Sequence, residues 1–465
     1  MKDRIAAFLW AAVLLLAACK IESSVPARIG MVHPGAPYTQ EDFVAMSRLI
    51  TRWTNGVTPS GPPSDPPTVQ DDLGLTWANH DAKIPPDKIA AYREARRANR
   101  KMYGEYRAYQ NYTALVGDGE GASSYGMARG YDPFIGRDGE VAGTKTGVEA
   151  DMRAAYKNAL RWMLSGDKLH AQKTFQILDT YAQNLRGFKD GGMGDRMLMV
   201  GLQGYLYAAA AEIIRYGRNV INGEDSGYIP EQFGNIDRSI REVWLAEIQN
   251  CYLNVPAWRA GNQDAMLLTA YLAIAIYLDD QVLFQKALEA FCFGENNGSL
   301  KRNIHHVSGQ NQETTRDQSH ALLAEGKLAL GCEIAYKQGY DAYELYDHAL
   351  LKASEFGARY NLGDNNFQSY ISGPSDPYGP YYYFERTWEL ALWGGTVIGS
   401  GDRGGGSVFP YELAYNHYVR REGLEMPWTE AILPSGGEGW NASDAAPGYS
   451  SFLAGASELV RELGL

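Results

Sequence analysis

The sequence predicts an all-α protein, an (α/α) toroid, that is, an incomplete α/α barrel of antiparallel helix pairs. Three observations carry this. Apolar residues recur at helical spacing through most of residues 149–463, period-two alternation is nearly absent, and the turns between the periodic segments are short. Helices without a sheet must bury their stripes against one another. At 465 residues, two layers of antiparallel pairs closing into a ring accomplish that. There is no fixed-period repeat, which argues against a solenoid.

The elements follow in order. Residues 1–18 read as a leader: Lys2 and Arg4, then a short apolar run, then Leu16-Ala-Ala-Cys19. That ending resembles a bacterial lipobox, which implies cleavage before Cys19 and lipidation of Cys19. Residues 19–30 read as a tether, and 31–465 as one domain, since no composition break divides them. The expected location is lipid-anchored, in the periplasm or on the cell surface, with the outer membrane favoured. Residues 55–70 are rich in Pro, Gly, Ser and Thr and read as loop; 86–106 are helix-prone; 116–147, with many glycines, read as a long loop of the kind that covers sites. Helices are then expected over 149–164, 168–185, 197–216, 235–253, 263–278, 281–291, 318–338, 342–360, 411–421 and 450–463.

Composition narrows the function. Hydrophobic residues are 45% and charged residues 21%, which excludes wholesale disorder. A formal charge of −12 makes nucleic acid a poor partner. The 31 tyrosines suit either a sugar-binding surface or a Tyr-rich helical core. Cys251, Cys292 and Cys332 sit in apolar helical contexts and read as buried free thiols, and no CxxC spacing supports a zinc site. His305 and His306 are adjacent and so do not face together on a helix. No cofactor is expected; no spacing demands a metal, and a structural cation is left open.

Four segments carry chemistry. In 309–320, Thr315 can cap a helix with Gln318 at its third position, which places Arg316 in the first turn and His320 one turn later on the same face. With Gln312 and Glu313 before them, these make a carboxylate-recognition corner, or a surface cap in which Arg316 pairs with Glu313 or Asp317. In 258–263, Trp258 can stack on a sugar ring, while Asn262 or Gln263 either donates to a ligand carboxylate or caps the next helix. In 378–386, Tyr378, Tyr381 and Tyr382 crowd a Pro/Gly loop, as a sugar platform, a source of a Tyr base or a packed rim. In 411–418, Glu412 and Asn416 share a helical face, near His417, as a site or a half-buried amphipathic helix. No GxSxG, HExxH, phosphate-loop or dinucleotide-binding pattern is present.

The order of motifs carries a resemblance. It runs from His33-Pro34-Gly35 with Thr39, Asp42 and Met46, through the 154–178 helix pair and the Gly261-Asn262 segment with its trailing helix, to the RDQ-S-H block in 310–343 and the YNHY segment in 415–427. This resembles the alginate-lyase-like superfamily of polysaccharide lyases, most closely family 38, whose members cleave alginate or glucuronan. The resemblance implies the (α/α) toroid and β-elimination on an acidic polysaccharide, without a redox cofactor. It places Asn262 and Arg316 in the slots that neutralise the uronate carboxylate, with Gln263 where relatives often have His. Leu322 and Leu323 stand where relatives often have the catalytic Tyr. The acid or base is then His320, or a Tyr from 378–382. A glycoside hydrolase using two of Glu313, Asp317, Glu385 and Glu412 is the alternative, and a glycan-binding lipoprotein a further one.

Overall fold

The computed structural model describes residues 30–59, 104–254, 260–361, 411–433 and 455–465. These are helical almost throughout. Helix α1, Gln40–Thr54, is fixed at its start by a capping box in which Thr39 and Asp42 bond each other's backbone. The next described helix, α2, covers 104–117. Then come α3 (Lys145–Ser165), α4 (Lys168–Asn184), α5 (Met193–Tyr216), α6 (Gly234–Ser239), α7 (Ala246–Asn254), α8 (Gly261–Tyr277), α9 (Gln281–Phe293), α10 (Leu300–Asn303), α11 (Gln318–Lys337), α12 (Leu345–Asn361), α13 (Tyr411–Tyr415), α14 (Pro427–Ile432) and α15 (Ala456–Leu463).

Short turns make α3–α4, α8–α9 and α11–α12 antiparallel pairs, as expected. Across them, α5 packs between α3 and α8, and α8 packs against α11, so these four form one layer. Helices α4, α9 and α12 lie against their own partners, and α6 against α4. Helix α5 is apolar enough to cross a membrane by composition, yet it is buried as a core element. The arc closes: α1, near the start of the chain, packs on α15 at its end. Cys251, Cys292 and Cys332 are buried free thiols.

The differences from expectation are local. The region 116–147 is not wholly loop: α2 ends at 117, Phe134–Ile135 pairs in parallel with Gly187–Phe188, and a 3₁₀ turn spans Gly139–Thr144. The expected helix 235–253 is interrupted by a π segment, Ile240–Leu245, and 411–421 becomes α13 followed by a π segment, Asn416–Arg421. A single π turn shifts the apolar stripe by one residue, a break too short to stand out against the side-chain variety of one sequence. Helices α1 and α14 escaped the sequence reading. The expected helix over 86–106 lies mostly outside the described residues, as do Cys19 and the leader.

Candidate functional site

The site forms where the start of α8 meets the approach to α11. Helix α8 begins at Gly261, where a Cβ would run into Asn303 and come within 2.6 Å of Gln312, so only glycine lets the two segments touch. The next residue, Asn262, donates its backbone N–H to Glu313 Oε1 at 3.1 Å. A carboxylate at the open N–H end of a helix is favoured by the unpaired donors and the helix dipole. Glu313 is 0% exposed. Burial raises its pKa, and the charge of Arg316 and the Asn262 N–H only partly offset this.

Glu313 belongs to a 3₁₀ turn, Gln312–Thr315. Its cap, Asn311, accepts from the Glu313 N–H at 3.0 Å and donates to the Ala321 carbonyl at 3.0 Å. The turn is thereby tied to the first turn of α11. Gln312 donates to the Asn297 carbonyl at 2.7 Å.

The cap of α11 is Asp317, not Thr315: the Asp317 carboxylate accepts from the His320 N–H at 2.8 Å. Arg316 therefore precedes the helix instead of lying in its first turn. Its guanidinium is 3.7 Å from Glu313 Oε2 and 3.8 Å from Asp317 Oδ2, so the pairing considered from sequence is present with both carboxylates. His320 Nδ1 lies 2.7 Å from Asp317 Oδ2. An acceptor-only carboxylate there fixes the tautomer, with the proton on Nδ1 and the lone pair on Nε2. Burial alone would raise the Asp317 pKa, but the hydrogen bonds from His320 and the charge of Arg316 hold it below the usual carboxylate range. The His320 side chain remains 34% exposed and that of Arg316 26%.

Asn262, Glu313, Arg316, Asp317 and His320 thus form one contiguous chain of contacts. Gln263 flanks it, its amide so close to the start of α5 that a Cβ on Gly194 would come within 2.6 Å of Nε2. Among the described residues, Asn262 Oδ1, Gln263 Oε1 and Glu313 Oε2 are buried without a hydrogen bond. All three are oxygens that only accept, so each calls for a hydrogen-bond donor such as a water or a ligand hydroxyl.

Gln312 and Glu313 are buried, and the contacts they make are to the Asn297 carbonyl and the Asn262 N–H. Other expected site residues lie elsewhere. Glu412 is buried in α13 and ion-paired with Arg107 of α2. His417, 1% exposed, packs on Tyr336 and Tyr343 near the far end of α11 from Arg316. At 1.5 Å per residue, the 20 residues of α11 put about 30 Å between its ends. His417 thus lies away from this corner, while Glu412 follows Tyr411, which packs on Leu322 near the start of α11. Leu322 is a core residue against Ala358 and Tyr411. Trp258, Tyr378, Tyr381, Tyr382 and Glu385 lie outside the described residues. Of the carboxylates considered for hydrolysis, Glu313 is sealed, Asp317 is engaged by His320 and Glu412 by Arg107, and Glu385 lies outside the described residues.

Sequence reasoning missed Asn311 and the role of Asp317. The signal was there: Asn and Asp each stand just before a helical turn, where their side chains bond the backbone two or three residues on.

Comparison with known proteins adds the following. The family model described as alginate lyase matches residues 86–367, more than half of the chain and all of the corner just described. The solved structure of alginate lyase A1-III from Sphingomonas species A1 aligns at 10% identity and a TM-score of 0.42, covering 71% of this chain and 87% of that one. No curated protein sequence matches.

Proposed function

The chain belongs to the alginate lyase family and is a polysaccharide lyase, and from that premise we propose that the corner of Asn262, Arg316 and His320 opens a uronate glycan of the alginate or glucuronan type by β-elimination. The observation that carries this is the partly exposed Arg316 and His320, the latter's ring held by Asp317, beside the Asn262 and Gln263 amides at the start of α8. Arg316 and the Asn262 amide bind the C6 carboxylate and draw off its charge, which makes the C5 proton acidic enough to remove. Gln263 donates to the same carboxylate and, having no titratable group, takes no proton.

His320 accepts the C5 proton at Nε2, with Asp317 holding the ring and stabilising the imidazolium. The electron pair left on C5 becomes the C4–C5 double bond as the C4–O4 bond breaks. The imidazolium returns its proton to O4. Trp258 and the 378–382 tyrosines are proposed to hold neighbouring sugars. The Leu16–Cys19 box supports lipid anchoring in the periplasm or at the surface.

The test is far-ultraviolet absorbance during incubation with polymannuronate, polyguluronate, glucuronan and a glycosaminoglycan. A rise on one polymer reports the double bond and names the substrate. No rise on any, with new reducing ends appearing, refutes elimination in favour of hydrolysis. Binding without any product refutes both.

A further inference from the structure

The far end of α11 carries a second cluster, unrelated to the corner above. Asp341, in the connection from α11 to α12, faces His417, and Glu422 ends the π segment that holds His417. Their ligand atoms all lie within 4.8 Å of one another. His417 Nε2 is 3.6 Å from Asp341 Oδ2, past hydrogen-bonding range, and its Nδ1 is buried with no hydrogen bond. A ring this deeply buried rarely leaves a nitrogen without a partner.

The surroundings hold the three groups in place. The ring lies flat on Tyr343, centroids 3.9 Å apart at 11°, and against the edge of Tyr336. Asp341 Oδ1 accepts from the Tyr343 N–H at 3.0 Å, which leaves Oδ2 pointing at the ring. The Glu422 N–H bonds the His417 carbonyl at 3.1 Å, a five-residue π turn. In a plain α-helix, residues five apart point about 140° apart; a π turn brings them closer to one face. No Lys or Arg is paired with Asp341 or Glu422 among the described residues. Arg421, next along the chain, also lies over Tyr336 but is paired with Glu333 and Glu458.

We propose that Asp341, His417 and Glu422 hold one divalent transition-type cation per chain, pinning the C-terminal π segment to the α11–α12 connection. One imidazole nitrogen with two carboxylate oxygens suits zinc or manganese better than the all-oxygen ions calcium and magnesium. Two donors on a tetrahedral zinc ion stand about 3.4 Å apart, and the His417–Asp341 pair already has nearly that spacing. Glu422 is exposed, so it gives the ion a way in from solvent and closes on it by rotation. About 30 Å separates this site from Arg316, so the ion's role is to hold structure, not to take part in elimination.

The test uses the full chain after chelator treatment and dialysis. Calorimetric titrations with zinc chloride and, separately, manganese chloride are run on the parent, on Glu422→Gln and on Asp341→Asn. The expected result is one equivalent bound for at least one metal, with affinity at least about tenfold weaker in both variants. Thermal unfolding of the parent should rise by a few °C at about a hundredfold excess over Kd. Heats no larger than dilution for both metals, unchanged affinity in both variants, or an unmoved unfolding midpoint would each overturn the proposal.

Discussion

At the residue scale, the corner separates groups that meet substrate from groups that hold them. Arg316→Ala removes the charge that neutralises the uronate, and its side chain is partly exposed, so the fold should survive. Turnover is expected to fall by about 10²-fold or more, more than the modest loss of stability from removing the charge beside buried Glu313 can explain in a protein that stays folded. Full retained activity would remove Arg316 from the proposed site. Asp317→Asn tests positioning. It keeps a cap on α11 but exchanges the acceptor that fixes the His320 tautomer for an ambivalent amide. Its kcat should drop by about 10-fold or more while KM changes little, since the substrate carboxylate is held by other groups. A KM effect without a kcat effect would instead make Asp317 a binding group. The sequence showed Asn262, Gln263, Arg316 and His320 as candidates because polar residues at helix starts stand out from apolar runs. It could not show that Gln312 and Glu313 turn inward, since a 3₁₀ turn and an α turn aim the same residues differently.

At the scale of elements, the long periodic helices were legible and their irregularities were not. Helices α3, α4, α5, α8 and α11 begin and end close to where their apolar stripes and turn residues place them. Helix α12 shows the limit. Tyr346, Asp347 and His348 take left-handed backbone, φ 56, 55 and 58, in a stretch that reads as ordinary helix. Three non-glycine residues there cost about 1–2 kcal/mol each. Tertiary contacts pin the strand of backbone: Tyr346 stacks on His306 at 4.1 Å and donates to the Cys292 carbonyl at 3.0 Å. Such contacts come from residues 40 and 54 positions away and leave no local mark. Asp347, whose side chain is solvent-facing, pairs among the described residues with Lys352 alone and makes no such contact there. Asp347→Gly should therefore relieve strain and raise stability by about 0.5–1 kcal/mol. Denaturant unfolding checks this; a loss of stability would mean that the Lys352 pair outweighs the strain. At α8 the direction reverses: Gly261→Ala forces a methyl against Asn303 and Gln312 and is expected to cost about 1–3 kcal/mol.

At the scale of the molecule, one buried network joins the two ends of the chain. Asp42 of α1 meets Lys337 at 2.8 Å, Lys337 lies 3.5 Å from Glu333, Glu333 takes two bonds from Arg421 at 2.7 and 2.8 Å, and Arg421 reaches Glu458 of α15 at 3.0 Å. Three of these helices belong to the first, middle and last parts of the chain, so the network acts where the ring closes. Burial alone would push the Glu333 pKa up, but Arg421 and Lys337 overcome it and hold the carboxyl at about 2, against an ordinary 4.5. A carboxyl depressed by folding contributes stability that is complete above about pH 4.5. The unfolded chain then takes up a proton that the folded one refuses, and the contribution is lost as pH falls from about 4.5 to about 2. The shift corresponds to about 3 kcal/mol at neutral pH. Asp42 works against this: burial raises its pKa despite Lys337, so part of the gain is returned at low pH. Glu333→Gln removes the carboxylate and leaves Arg421 buried with Glu458 alone, so a cost of about 3–5 kcal/mol is expected at pH 7. The variant should also lose less stability than the parent between pH 4.5 and pH 3. Parallel slopes for the two proteins over that window would show that the closure of the ring rests on packing between α1 and α15, with the charges contributing nothing to its pH dependence.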